Sequence, residues 1–222
     1  MGIPKALDPT GVILVDKPAG PTSFAVLAGV RRRTGAKTGH AGTLDPFATG
    51  LLILLSGRAT SLQDRFTRLD KHYRTEIGLT ARTTTGDPDG ERIDVHEAPS
   101  PAELDEALTG LRGLVELPIP AASAVKIDGK RAYALHRQGI AVEMPVRAMR
   151  VETLELVRYE DGVAELDLDV GSGTYVRSIA DALGGHCRTL RRTSIGPFSV
   201  DEADPERIIP VADALVRLQE AL

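Results

Sequence analysis

One carboxylate stands alone in a polar, glycine-punctuated run, Lys37-Thr-Gly-His-Ala-Gly-Thr-Leu-Asp-Pro-Phe-Ala-Thr-Gly50. It is Asp45, with the hydroxyl of Thr43 and the imidazole of His40 upstream and glycines at 39, 42 and 50. Glycine permits positive φ and close backbone approach. A carboxylate on a loop fixed by rigid structure can act as a nucleophile or as a base. The same residues also suit a tight turn in which Asp45 accepts from nearby backbone N–H groups. Spacing alone leaves both readings open.

The elements that must hold this loop are legible around it. The loop runs into Leu51-Leu-Ile-Leu-Leu55, a buried strand, and Gly11-Val-Ile-Leu-Val15 reads as another. Asp16-Lys-Pro-Ala-Gly-Pro21 ends the earlier strand with turn chemistry. Thr22 or Ser23 caps a helix to about Arg33, with an apolar stripe of Phe24, Val26, Leu27 and Val30. A short helix is expected to about Leu69, then a strand over 71–79 with Tyr73, Thr75, Ile77 and Leu79 on one face. Thr83–Gly90 is a loop rich in turn residues, and Ser100-Pro-Ala-Glu103 is a capping box opening a helix to about Leu108. Pro120–Tyr133 reads as a hairpin turned at Asp128-Gly129, followed by a helix to about Gln138. Arg147–Val157 and Val163–Val170 read as paired strands, the second with Ala164, Leu166, Leu168 and Val170 inward. A helix ends near Gly184, and residues 204–222 form a loop and one amphipathic helix. Strands and hairpins with few helices imply an α+β fold: a mixed or antiparallel central sheet with flanking helices, as a single domain over 1–222.

Composition narrows the class. The 222 residues include one cysteine, Cys187, which excludes a disulfide framework and a Cys-rich zinc site. No stretch is apolar enough to span a bilayer, and Met1–Thr10 lacks the apolar core of a secretory signal. The expectation is a cytoplasmic protein, and without a heptad or an apolar stripe, a monomer. The net charge of −4 is unevenly spread: residues 1–82 carry twelve Lys and Arg against six Asp and Glu, and the remainder fifteen against twenty-five. A basic half that carries the glycine loop suits a phosphate-binding face, although Arg31, Arg32, Arg33, Arg65 and Arg68 could equally solvate helix faces.

Gly39-His-Ala-Gly-Thr-Leu-Asp-Pro-Phe-Ala-Thr-Gly-Leu-Leu52 resembles the catalytic signature of the bacterial tRNA pseudouridine-55 synthases of the TruB type. Asp16-Lys-Pro-Ala-Gly20, Lys71-x-Tyr73, Ser123-Ala-Val-Lys-x-x-Gly-Lys-Arg-Ala-Tyr133, Gly173-x-Tyr-x-Arg177 and Leu190-Arg-Arg-Thr-Ser-Ile-Gly-Pro-Phe198 resemble further motifs of that family. The chain departs from the pattern at Ile119 and Ala122, where the family carries proline and then tyrosine. It also leaves no length for the family's C-terminal RNA-binding PUA module. The resemblance implies the pseudouridine-synthase fold with a catalytic cleft, and isomerisation of uridine in the T-arm of tRNA. It makes Asp45 the catalytic residue, with Arg177 beside it and Tyr73 stacking on the target base. Tyr175 and Leu190 would line the uracil pocket, Thr43 would touch substrate, and His40 would fill space vacated in the loop. Lys17 would be a phosphate contact or a loop anchor, and Lys17, Lys37, Arg191 and Arg192 would lie on a basic surface that holds phosphates. The reaction oxidises nothing and imports no group, so it requires neither metal nor organic cofactor. The base must leave its stack to react.

Three other readings compete: the same chemistry on another stem-loop RNA, a non-catalytic protein that binds and remodels tRNA, and an aspartate-dependent glycoside hydrolase. The last needs a second carboxylate at a set distance, and none stands out near Asp45 in the sequence.

Overall fold

The computed structural model describes residues 9–127, 129–140 and 142–220. Asp128, half of the expected Asp128-Gly129 turn, lies outside the described residues, as do most of the N-terminal segment read for a signal and the last two residues of the tail. In chain order the elements begin with β1 (Gly11–Lys17), α1 (Ser23–Thr34), β2 (Thr38–Ala41), β3 (Thr49–Ser56), α2 (Gln63–Thr67) and β4 (Lys71–Gly78). Next come β5 (Arg82–Thr83), β6 (Arg92–Ile93), α3 (Pro101–Gly110), β7 (Gly113–Pro118), β8 (Lys126–Ile127), β9 (Lys130–Arg131) and α4 (Ala132–Arg137). The chain continues with β10 (Val146–Glu160), β11 (Val163–Val170), α5 (Val176–Ala182), β12 (His186–Ile195), β13 (Phe198–Ser199), β14 (Asp204–Ile209) and α6 (Val211–Glu220). The described residues form two compact units, divided at Lys71/His72 and at Leu190/Arg191.

In the first unit β3 is central. Along one edge it pairs antiparallel with β1, Leu52 opposite Val15. Along the other, Thr49 and Gly50 pair parallel with Arg191 and Arg192, and Ile53–Ser56 pair antiparallel with β2. The sheet is therefore mixed. Both of its faces are covered, which is why these strands are continuous apolar runs rather than alternating ones. Val12, Leu14, Leu51, Ile53 and Leu55 pack with Phe66, Ile195, Phe198 and Ala214. Ile13, Val15, Leu52 and Leu54 pack on Leu27 and Val30 of α1.

Thr22 is the α1 cap, accepting from the Ala25 N–H. The expected α1 stripe is corrected at Phe24, which is 68% exposed. Ser23 occupies the buried position one turn before Leu27. The tail is corrected too. Asp204–Ile209, expected as loop, is an edge strand on β1. Pro205 is tolerated there because an edge strand needs no donor on its outer side.

In the second unit β4 lies between the His186–Leu190 part of β12 and β11, and β10 and β7 complete the row. Thr75 Oγ1 donates to Thr189 O at 2.6 Å, tying β4 to β12. β10 and β11 form a hairpin with Glu160 opposite Val163. Asp161 and Gly162 turn it, both at positive φ (49° and 72°), as a two-residue turn of the primed type requires. Ser100 and Glu103 form the expected reciprocal cap on α3. β7, a strand the sequence reading did not anticipate, pairs with β10 from Val146–Pro118 to Val151–Gly113.

Candidate active site

Asp45 is half-buried within residues 42–48, which connect the adjacent antiparallel strands β2 and β3. Three side chains fasten this connection. Ser23 Oγ donates to Leu44 O and accepts from Leu44 N–H, both at 2.9 Å, so the residue before Asp45 is held to the start of α1. Lys17 Nζ donates to Pro46 O at 3.2 Å, and to Pro18 O and Pro21 O at 2.8 and 3.0 Å. The residue after Asp45 is thereby tied to the turn between β1 and α1. The Gly20 N–H donates to the same Pro46 carbonyl at 2.8 Å. Arg192 supplies the third fastening. Its Nε donates to Leu51 O at 2.8 Å and its two terminal nitrogens to Gly42 O at 3.1 Å and Thr43 O at 3.5 Å.

Two expectations change here. Lys17 and Arg192 do not lie on the expected phosphate-holding basic surface: Lys17 is fully buried and Arg192 is 1% exposed. Successive residues of a strand point to opposite faces. Arg191 accordingly faces outward, in a bidentate pair with Asp16 (2.8 and 3.1 Å), while Arg192 points in. Of Lys17's two expected roles, its contacts are those of a loop anchor. Thr43 and Lys37 are exposed.

Burial shifts the titration of Lys17, Lys71 and His40. Lys17 is held below the usual lysine range by desolvation, opposed by Asp45 and reinforced by Arg192. Lys71, whose Nζ donates to Thr67 O at 2.6 Å and to Leu69 O, is pushed down to about 8 by burial and then by Arg192. His40, half-buried on β2, is lowered by burial and by Arg192. Its Nδ1 is buried without a hydrogen-bond partner among the described residues.

The second unit holds the other candidates. Tyr73 is 8% exposed on the inward face of β4, and Leu190 is buried on the neighbouring β12. Tyr175 is half-buried at the start of α5, and its N–H donates to Met149 Sδ at 3.5 Å. Arg177, on α5, is 3% exposed. It donates to Thr85 O at 2.8 Å and to Ala122 O at 3.0 Å, and lies 3.7 Å from the Asp87 carboxylate. Asp87 is fixed in turn, accepting from Thr85 Oγ1 at 2.5 Å and from the Asp89 N–H at 3.1 Å. β5 and β6 close the loop that presents it.

The sequence reading missed Asp87 and Ser23. Asp87 sat among turn residues, and only the run Thr83-Thr-Thr-Gly-Asp87, with side chains able to bond one another, pointed to a built loop. Ser23 was hidden beside a better cap. Ile119 and Ala122, the departures from the pattern, keep backbone roles: the Ile119 N–H donates to Pro145 O at 3.0 Å, and Ala122 O accepts from Arg177.

Residues 31–176 match the family described as TruB family pseudouridylate synthase (N terminal domain), about two thirds of the chain. The chain belongs to the TruB family. It is 41% identical over 208 residues to tRNA pseudouridine synthase B of Mycobacterium sp. (strain KMS), covering 88% of this chain and 70% of the relative. It is 43% identical over 222 residues to tRNA pseudouridine synthase B of Cereibacter sphaeroides, covering 96% and 73%. Among solved structures, a chain of a Cbf5-Nop10-Gar1 complex superposes with a TM-score of 0.66 at 28% identity, over 87% of this chain and 51% of that one. A pseudouridylate synthase shares the fold at a TM-score of 0.50 and 16% identity, over 96% and 74%. The α+β architecture with its mixed sheet is thus that of the pseudouridine synthases. In this TruB-family chain the signature loop is a β2–β3 connection fastened on both sides of its aspartate, and the Gly-x-Tyr-x-Arg motif is the entry to α5.

Proposed function

We propose that this chain isomerises uridine to pseudouridine in the T-arm of tRNA, at position 55, with its two compact units acting as one catalytic domain. The observation that carries the reading is the Asp45 loop: a family signature whose carboxylate is presented between two anchored residues, Leu44 and Pro46. In the reaction the N1–C1′ bond breaks and a C5–C1′ bond forms; the C5 proton leaves and N1 gains one. Asp45 attacks as a nucleophile, as in glycosyl transfer, or acts as a base on the ribose. In this reading Arg177 is its charge partner, opposing the proton uptake that a closed pocket favours. The target base flips out at a cost of a few kcal/mol, and stacking on Tyr73 returns about 1–3 kcal/mol. Tyr175 and Leu190 line the uracil pocket, Thr43 contacts the substrate, and His40 fills space in the loop. Arg191 and Lys37 meet phosphates, while Lys17 serves the site from beneath as an anchor. The enzyme works as a monomer in the cytoplasm.

The test is product mapping on full-length tRNA transcripts. Pseudouridine is expected at the T-arm uridine and absent from a transcript with cytidine there. Pseudouridine at another site, or none in tRNA with product in a different stem-loop RNA, would overturn the assignment.

A further inference from the structure

A buried guanidinium is costly unless its N–H groups find acceptors. Arg192 is 1% exposed, and three of its acceptors are main-chain carbonyls of one segment. Their positions matter more than their number. Gly42 follows directly on β2, and Thr43 comes next; Leu51 is the third residue of β3. These are the two legs of the connection that carries Asp45. The edge of β3 passes from its parallel partner, β12, at Gly50 to its antiparallel partner, β2, at Ile53. Arg192 bonds to Leu51 O in that interval, and so bridges the base of the loop.

Gly42 lies in contact with the head group of this arginine, and Gly50 is packed against its backbone. A Cβ on Gly42, which has φ +86°, would lie 3.6 Å from the terminal nitrogen of Arg192. A Cβ on Gly50, at φ +104°, would lie 2.1 Å from Arg192 O and 2.7 Å from its N. The loop is thus built around both the backbone and the head group of one arginine.

We propose that Arg192 is a positioning residue: it closes the base of the Asp45 loop and so sets where the carboxylate stands relative to the flipped nucleotide. This rests on the reading of Asp45 as the catalytic carboxylate. Arg192 itself touches no substrate. Lysine at this place would keep the charge but not the planar fork that reaches both legs.

The test is single-turnover pseudouridine formation, with the dissociation constant measured separately, on a T-arm stem-loop. Arg192→Lys is expected to slow the chemical step about 100-fold, the scale of a roughly 1 Å misplacement of a reacting group. Binding should stay within about threefold, since the buried guanidinium does not meet the RNA. Where Arg192→Lys fails to fold by circular dichroism, Gly42→Ala carries the same test, straining the positive φ of the leg that Arg192 holds with the arginine intact. A folded variant whose chemical step is within about threefold of wild type, or whose binding falls as far as its rate, would overturn the proposal. Asp45→Ala, run alongside, separates the two claims. If it is inactive and Arg192→Lys is normal, only the positioning role fails. If Asp45→Ala is itself active, the catalytic reading fails and takes the positioning role with it.

Discussion

An ammonium ion taken out of water must replace its hydration with other acceptors, and Lys71 has done so only partly. Its pKa of about 8 in the folded chain lies below the ordinary 10.5, mainly because burial penalises the charge and then because Arg192 repels it. Below pH 8 both folded and unfolded chains hold this proton, and the folded chain bears the full cost. Between about pH 8 and 10.5 the unfolded chain still binds the proton and the folded chain has released it, so stability rises with pH. Lys71→Met should remove that rise, read as a flatter pH dependence of the urea midpoint than wild type over that window; an unchanged slope would contradict the assignment. The residue scale is also where the sequence was least readable. Arg191 and Arg192 are neighbours of one type, and only the period of the strand beneath them separates a surface pair with Asp16 from a buried clamp. That Asp45 stands on a loop was readable, because glycine spacing marks one whatever surrounds it.

At the scale of elements, β3 and β12 come together through Gly50. An alanine there would meet Arg192 backbone atoms at 2.1–2.9 Å and hold an unfavourable positive φ. Gly50→Ala should therefore cost about 2 kcal/mol or more of stability in urea unfolding; a loss below about 0.5 kcal/mol would show that the strands part easily. Doubly covered strands such as β1 and β3 were legible as apolar runs, and α3 by its Ser100–Glu103 cap. β14 was not, because Pro205 reads as a strand breaker unless the strand is known to lie at an edge. Nor was the exposure of Phe24, since helical spacing places it in the stripe and only the bond from Ser23 to Leu44 shows which side of α1 is turned toward the loop.

For the whole molecule, charge is divided between the units. The unit containing Asp45 carries 14 Lys and Arg against 11 Asp and Glu, and the other 13 against 20. Several cations of the first unit, among them Arg31, Arg32, Arg65 and Arg68, are exposed. Phosphate contacts add affinity that salt weakens, without reading sequence. The double variant Arg65→Glu, Arg68→Glu should weaken tRNA binding, lower the salt slope by about 1 for each phosphate no longer neutralised, and leave the single-turnover rate at saturating RNA unchanged. Unchanged affinity would remove α2 from the RNA-binding face. The motifs made the family and its fold legible in the sequence. They did not indicate the two-unit division, because its boundaries fall at the start of β4 and within β12, inside strands where composition gives no signal. The central claim is that Asp45 drives the isomerisation, and its most direct test is tritium release from a T-arm stem-loop labelled at uracil C5. Wild type is expected to release tritium and Asp45→Ala none, with RNA binding retained by the variant. Release by both proteins would contradict it.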